Sequence, residues 1–212
     1  MKDPMRNLLT RRSVMSAMAA GGLMMAAAGT GPVLANTTNA DEADLKRVSD
    51  YLNQLRTLQG KFSQLDDDGT ESEGVFFLQR PGKLRFEYIS PPTYPTLVAS
   101  GKWVTLENHQ LKTVNRYPLK ATPLKILLKK NVNLTKDTEI IAIDRSPGML
   151  SVTARERAGK AQGELTMVFA APALELRHWV VRDSNGYTTR VSLKEMRRDV
   201  DLEPALFIPA DK

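Results

Sequence analysis

Cysteine is absent from the 212 residues. That rules out disulfides, thiol nucleophiles and thiolate metal sites, so an exported form of the chain must be held together by buried area alone. Histidine is almost as scarce, with His109 in an Asn108-His109-Gln110 turn and His178 alternating with Leu176 and Val180 on a strand. A strand histidine in that setting reads as a hydrogen-bonded residue at a sheet face or rim, not a catalytic base. There is no Gly-x-Ser-x-Gly elbow, His-Glu-x-x-His helix, phosphate-cradling loop or dinucleotide fingerprint. Asp66-Asp67-Asp68-Gly69 lacks the spaced ligands and closing Glu of a calcium loop and reads as a solvated hairpin turn. With no catalytic residue, metal or cofactor to name, a binding protein is expected and a secreted hydrolase is disfavoured.

Long apolar runs are missing too, except near the start. A basic stretch with Thr10-Arg11-Arg12-Ser13-Val14-Met15 precedes an Ala/Gly/Met-rich segment from Ala17 to Ala28 and then Gly31-Pro32-Val33-Leu34-Ala35. This pattern predicts a bacterial signal peptide over residues 1–35, cleaved after Ala35, with one domain over 36–212. Paired arginines point to the twin-arginine route. Val14 and Met15 stand where that motif usually has Phe and Leu, which keeps Sec export open. Removing Lys2, Asp3, Arg6, Arg11 and Arg12 leaves 26 basic against 23 acidic residues, so the basic pI belongs largely to the leader. A nucleic-acid partner therefore loses its support.

In the remainder, Leu45, Val48, Leu52, Leu55 and Leu58 recur every three or four positions between Asp41 and Leu58. That spacing predicts an amphipathic helix, started by Asn39 or Asp41 and ended by Gly60. Beyond Gly60 the period changes to two. Eleven strands are expected, at 61–65, 74–79, 83–90, 96–99, 102–107, 110–116, 138–144, 149–156, 164–170, 174–182 and, after an Asn185-Gly186 turn, 187–196. One segment breaks the pattern: Thr122 as N-cap and Pro123 at the first helical position precede Leu124, Ile126, Leu127 and Leu128. A helix of two turns is unstable alone and must lie on something apolar. The predicted class is mainly β (α+β), one strongly curved antiparallel sheet with helices covering its open side.

The apolar surface for that cover is a hairpin, Gly74–Gln79 and Lys83–Ser90, joined at Arg80-Pro81-Gly82. With Pro81 and Gly82 as the central turn residues, Val75, Phe77, Leu84, Phe86 and Tyr88 fall on one face and Phe76 and Leu78 on the other. A type II turn is not the favoured two-residue connection, so the alternation is firmer than the register.

The string from Gly74 through Arg80-Pro81 to Tyr88, followed by Pro91-Pro92, resembles the signature hairpin of LolA, the periplasmic lipoprotein carrier. Ser100-Gly101-Lys102-Trp103-Val104 resembles that family's Asp-Gly-Lys hairpin, and Thr122-Pro123-Leu124 with its following leucines resembles the helix that closes the LolA cavity. Val200 to Pro209 resembles the family's closing segment, although the chain stops within three residues where LolA usually runs on.

The resemblance implies an unclosed antiparallel β-barrel, lidded by helices, whose hydrophobic cavity takes the acyl chains of lipoproteins released by an inner-membrane ABC transporter. It implies a soluble, monomeric periplasmic shuttle that delivers to an outer-membrane acceptor where one exists. Arg80 would hold the lid shut by hydrogen bonds to lid carbonyls, a task suited to five donors in a rigid fork; the plainer alternative is a solvated turn residue. Leu52, Leu55, Val75, Phe77, Leu84, Phe86, Tyr88, Leu124, Ile126, Leu127 and Leu128 would line the cavity, or pack an ordinary core. Two rival roles on the same fold are a lipid-sensing envelope-stress regulator and a carrier of another lipid or glycolipid.

Overall fold

The strands order themselves as two meanders joined at their oldest and youngest members. A computed structural model describes residues 39–90, 95–157 and 163–209. The leader read over 1–35, its cleavage site and the Pro91-Pro92 pair lie outside the described residues. The strands are β1 (Thr57–Asp66), β2 (Glu71–Gln79), β3 (Lys83–Ser90), β4 (Thr96–Ser100), β5 (Trp103–Asn108), β6 (Thr113–Pro118), β7 (Thr138–Ser146), β8 (Met149–Glu156), β9 (Glu164–Ala170), β10 (Glu175–Arg182) and β11 (Thr188–Arg198). They form one sheet in the order β6-β5-β4-β3-β2-β1-β11-β10-β9-β8-β7, antiparallel throughout. The edges β6 and β7 do not pair, so the barrel stays unclosed.

Helix α1 (Asn39–Gln54) buries Leu45, Val48, Tyr51 and Leu52. It ends earlier than the periodicity predicts, because Leu58 belongs to β1, where it faces the core at 1 % exposure. Gly60 does not end a helix. It sits inside β1 at an irregularity of the β1–β11 register, and a Cβ there would stand 2.6 Å from the Lys194 carbonyl oxygen. Close approach of two backbones, not helix termination, requires glycine at this point.

The hairpin register also differs from the expectation. All of Arg80-Pro81-Gly82 lies in the turn, and the last pair is Gln79 with Lys83. That third loop residue moves every β2 side chain to the opposite face. Phe76 faces Phe86 and Leu78 faces Leu84 in the interior, whereas Val75 and Phe77 share the outer face with Glu87 and Arg85.

Inside, the ring of Phe62 meets Phe86 and Tyr88 edge-on at 4.6 and 5.0 Å, and Trp179 reaches Phe86 at 6.1 Å. The outer face of β3 and β4 is crossed by a 3-10 turn at Pro204–Phe207, held by Arg85 Nη1 donating to the Leu206 carbonyl at 3.1 Å.

Between the two edges runs the chain from 119 to 137, carrying a 3-10 turn (Leu119–Ala121), α2 (Leu124–Leu128) and α3 (Leu134–Asp137). Pro123, not Thr122, is the N-cap of α2, and the Thr122 hydroxyl turns back to the Leu119 carbonyl at 3.0 Å. The proline cannot cap with a side chain, so α2 depends on what it packs against.

Candidate functional site

Five residues of α2 lie over the interior of the sheet, with Ile126, Leu127 and Leu128 buried and Leu124 half-buried at the margin. They pack into the same apolar cluster as Leu52, Leu55, Leu84 and Phe86, with Tyr88 at its edge. Of the residues expected to line a cavity, the structure thus brings nine together. Val75 and Phe77 do not join them, because the three-residue turn puts both on the outer face; Phe76 and Leu78, 0 % and 1 % exposed, take their places. A reading of the turn as three residues would have found them.

The interior is filled by its own side chains in this closed arrangement: Leu52, Leu84 and Leu127 are each 0 % exposed. Two surface clefts border the lid region, and neither is lined by those leucines. One, of about 390 Å³, lies beside α2 among Lys125, Lys129, Asp137 and Glu156; the other, of about 480 Å³, includes Arg80 and Asp199.

The cover is anchored at both ends. The Leu119 amide donates to the Lys102 carbonyl at 2.8 Å, and the Asn53 side-chain amide clasps Val132 by both backbone groups, at 2.9 and 2.8 Å. Between these anchors the turn of the β2–β3 hairpin reaches the C-terminal end of α2. Arg80 Nη2 donates to the Lys129 carbonyl, and the Gly82 amide donates to the Leu128 carbonyl at 2.9 Å. Helix C-termini leave carbonyls without intrahelical donors, and both bonds answer that need.

Gly82 can serve because it adopts φ +77 and lies flat on the neighbouring turn, where its carbonyl accepts from the Gly101 amide at 2.8 Å. A Cβ there would stand 3.0 Å from the Gly101 Cα. The two Gly turns are one platform under the lid's end.

Arg80 is half-buried, and that burial pushes its guanidinium below the usual arginine range. Its Nε is buried without a partner among the described residues. A desolvated donor left unpaired costs about 1–3 kcal/mol, so this is not the environment of a solvated turn residue.

On its other side α2 offers Lys125 to the Glu156 carboxylate and Lys129 to Asp137, the latter at 2.6 Å. Burial would raise the Asp137 pKa, but the Lys129 ammonium and the Asn133 amide together hold it below its usual value. These polar contacts have no sequence pattern that announces them. His178, expected at a sheet face or rim, is half-buried on β10, and burial first, then the charge of Arg190, lowers its pKa. Among the described residues no cluster of His, Asp and Glu could hold a metal ion, and no helix is long and apolar enough to cross a membrane.

Three comparisons fit this geometry. The family model described as "Outer membrane lipoprotein carrier protein LolA" matches residues 53–210. The outer-membrane lipoprotein carrier protein of Pseudomonas fluorescens is 31% identical over 164 residues, covering 72% of this chain and 76% of its own. That of Methylococcus capsulatus is 28% identical over 179 residues, covering 80% and 85%. Among solved structures, a DUF1329 family protein from Desulfovibrio piger shares the fold at 10% identity, with a TM-score of 0.52 over 80% of this chain and 96% of that one. The matched span takes in α1's end, every strand among the described residues and the whole cover, and the curated relatives are named as carriers of outer-membrane lipoproteins. The chain belongs to the LolA family of outer membrane lipoprotein carrier proteins.

Proposed function

We propose that this protein is a periplasmic shuttle that takes lipoprotein acyl chains under α2 and carries them from the inner to the outer membrane. One observation carries the reading: a short apolar helix closes an apolar interior and is fastened through its backbone carbonyls by Arg80 and Gly82. Closure buries Ile126, Leu127 and Leu128, each worth about 1.5–3 kcal/mol. An acyl chain brings about 0.8 kcal/mol for each buried methylene, enough to replace those contacts and lift the helix. Arg80 then acts as the latch, because its charge-assisted bond is present in the closed state and lost when cargo enters.

Leu52, Leu55, Leu84, Phe86, Tyr88, Leu124, Ile126, Leu127 and Leu128 form the wall that the acyl chains meet, with Phe76 and Leu78 added. The names of the relatives support lipoproteins as the cargo. An inner-membrane ABC transporter as donor, an outer-membrane acceptor and action as a monomer complete the proposal.

Mass spectrometry of material co-purifying with the natively produced periplasmic protein tests it. Acylated peptide is the expected finding. Free glycolipid in its place would replace lipoprotein carriage with carriage of another amphiphile, and absence of any acylated compound, together with no binding of a fluorescent acyl probe, would overturn both.

A further inference from the structure

The inward-facing residues of β2 run Leu78, Phe76, Gly74 and Ser72, and those of β1 beside them run Leu58, Gly60, Phe62 and Gln64. This wall is apolar toward the Arg80 turn and becomes polar at its other end, where Ser72 and Gln64 stand opposite each other. Gly74 carries no side chain between them, since a Cβ there would stand 2.0 Å from the Glu87 carbonyl oxygen and 2.9 Å from the Phe62 ring. Across that gap the Tyr88 hydroxyl donates to Gln64 Oε1 at 2.8 Å, and Gln64 Nε2 donates to Asp66 Oδ1 at 3.0 Å. Both ends of the Gln64 amide are thereby held. Ser72 is 4 % exposed, yet its hydroxyl has no hydrogen-bond partner among the described residues. The two other buried side-chain atoms in that condition are placed differently: Arg80 Nε belongs to the latch, and Thr105 lies on the outer face in register with Val98 and Arg116.

We propose that Ser72 is the polar end of the acyl site and donates a hydrogen bond to the ester carbonyl of a bound acyl group. The inference rests on the carrier reading and adds to it the linkage of the ligand and the direction in which it lies. A buried hydroxyl without a partner is destabilising, so the closed, unloaded protein carries a penalty at Ser72 that a carbonyl acceptor removes. From Ser72 to Leu78 the strand runs about 20 Å. A long acyl chain laid along it has its carbonyl at Ser72, its methylenes on Phe76 and Leu78, and its methyl end toward the Arg80 turn. Asp66 selects the charge of the head. Its carboxylate, fixed beside Gln64 and also accepting from the Thr189 hydroxyl at 3.0 Å, repels a free fatty-acid carboxylate and tolerates a neutral ester. An ester carbonyl is common to the acylated end of a lipoprotein and to a free glyceride.

Two matched pairs of probes test this: a diacylglyceryl-cysteine peptide with its dialkyl-ether counterpart, and a diacylglycerol with its own. Each ether keeps the hydrocarbon and lacks the carbonyl. The parent should bind the ester peptide about threefold to tenfold more tightly than the ether peptide, the range of one net hydrogen bond. Ser72→Ala should bring the two within about twofold of each other, with ether affinity unchanged. Its midpoint of thermal unfolding should equal or exceed the parent's, because truncating an unpaired hydroxyl removes no bond. An ester preference confined to the glyceride pair, and lost in Ser72→Ala, upholds the subsite and replaces lipoprotein with glyceride as its ligand. Equal binding of ester and ether by the parent, or an ester preference undiminished in Ser72→Ala, overturns the subsite and leaves acyl carriage standing. A lower unfolding midpoint in Ser72→Ala makes the hydroxyl a structural group and overturns it as well. Binding of none of the four probes by the parent overturns the carrier reading and this inference with it.

Discussion

Arg80, the latch of the proposed carrier, reaches beyond its turn to the backbone at the end of α2. Replacing it with Leu removes the bond to the Lys129 carbonyl and the buried Nε, but leaves the Gly82 amide on Leu128. The open state should therefore gain about 1–2 kcal/mol, toward the lower part of what a lost charge-assisted bond costs, or roughly a tenfold slowing of acyl-probe release. Arg80→Lys should not restore the parent rate, since an ammonium lacks the planar fork. Release at the parent rate from Arg80→Leu would return this residue to an ordinary turn position. Gly60 gives a contrasting case, in which the backbone decides. Gly60→Ala sets a methyl 2.6 Å from the Lys194 carbonyl and should cost about 1–3 kcal/mol, read as a lower midpoint of thermal unfolding with no change in acyl selectivity. Arg80 stood out in the sequence because it stands in a family-like string, which also implied lid carbonyls as its acceptors; that the carbonyl is Lys129's was not legible, because a backbone carbonyl has no residue signature. Phe76 and Leu78 were legible as strand residues and misplaced by face, since one extra turn residue inverts a period of two.

The elements were the most readable scale, for a physical reason: most strands inside the two edges bury residues on one face, so alternation persists in the residues themselves. Helix α1 was extended too far only because Leu55 and Leu58 are buried at helical spacing while belonging to the connection and to β1. The lid helix was legible from its crowded leucines, and its dependence on packing makes a test. Leu127 is 0 % exposed, so Leu127→Asp should expel α2 and abolish acyl-probe binding while far-UV circular dichroism keeps the sheet signal. Unchanged affinity would remove α2 as the cover. The following helix adds a pH response. Asp137 accepts from the Asn133 amide at 2.9 Å and pairs with Lys129, and its carboxyl is held below the ordinary 3.8. A depressed carboxyl contributes stability above its unfolded value and loses it as pH falls through the folded one. Lid exchange, corrected for the intrinsic rate, should be flat from about pH 7 to 5 and accelerate below about pH 4, and Asp137→Asn should remove part of that acceleration. A variant with the parent's full acid response would show that other carboxylates carry it.

At the scale of the whole molecule, the sheet is two local meanders that meet at β1 and β11, residues such as Phe62 and Leu193 facing each other across that seam. The meander pattern followed from strand order; the seam did not, because pairing of residues more than a hundred positions apart has no local signal. The lid is the covalent bridge between the meanders at the opposite side, from β6 to β7. This gives the described residues a nearly circular path, with the first and last strands at the centre of the sheet and β6 and β7 at its rims. A single proteolytic cut in 119–132 would then sever the circle in the stretch that belongs to neither meander and leave two pieces, each a contiguous meander, joined by the β1–β11 antiparallel ladder. We expect the nicked protein to migrate as one species in gel filtration and to part only in denaturant, and the two pieces produced separately to assemble into a working pair. Fragment complementation of this sort converts the cover from a part of one polypeptide into two independent ends, so that the mouth of the barrel can be opened without unfolding its wall.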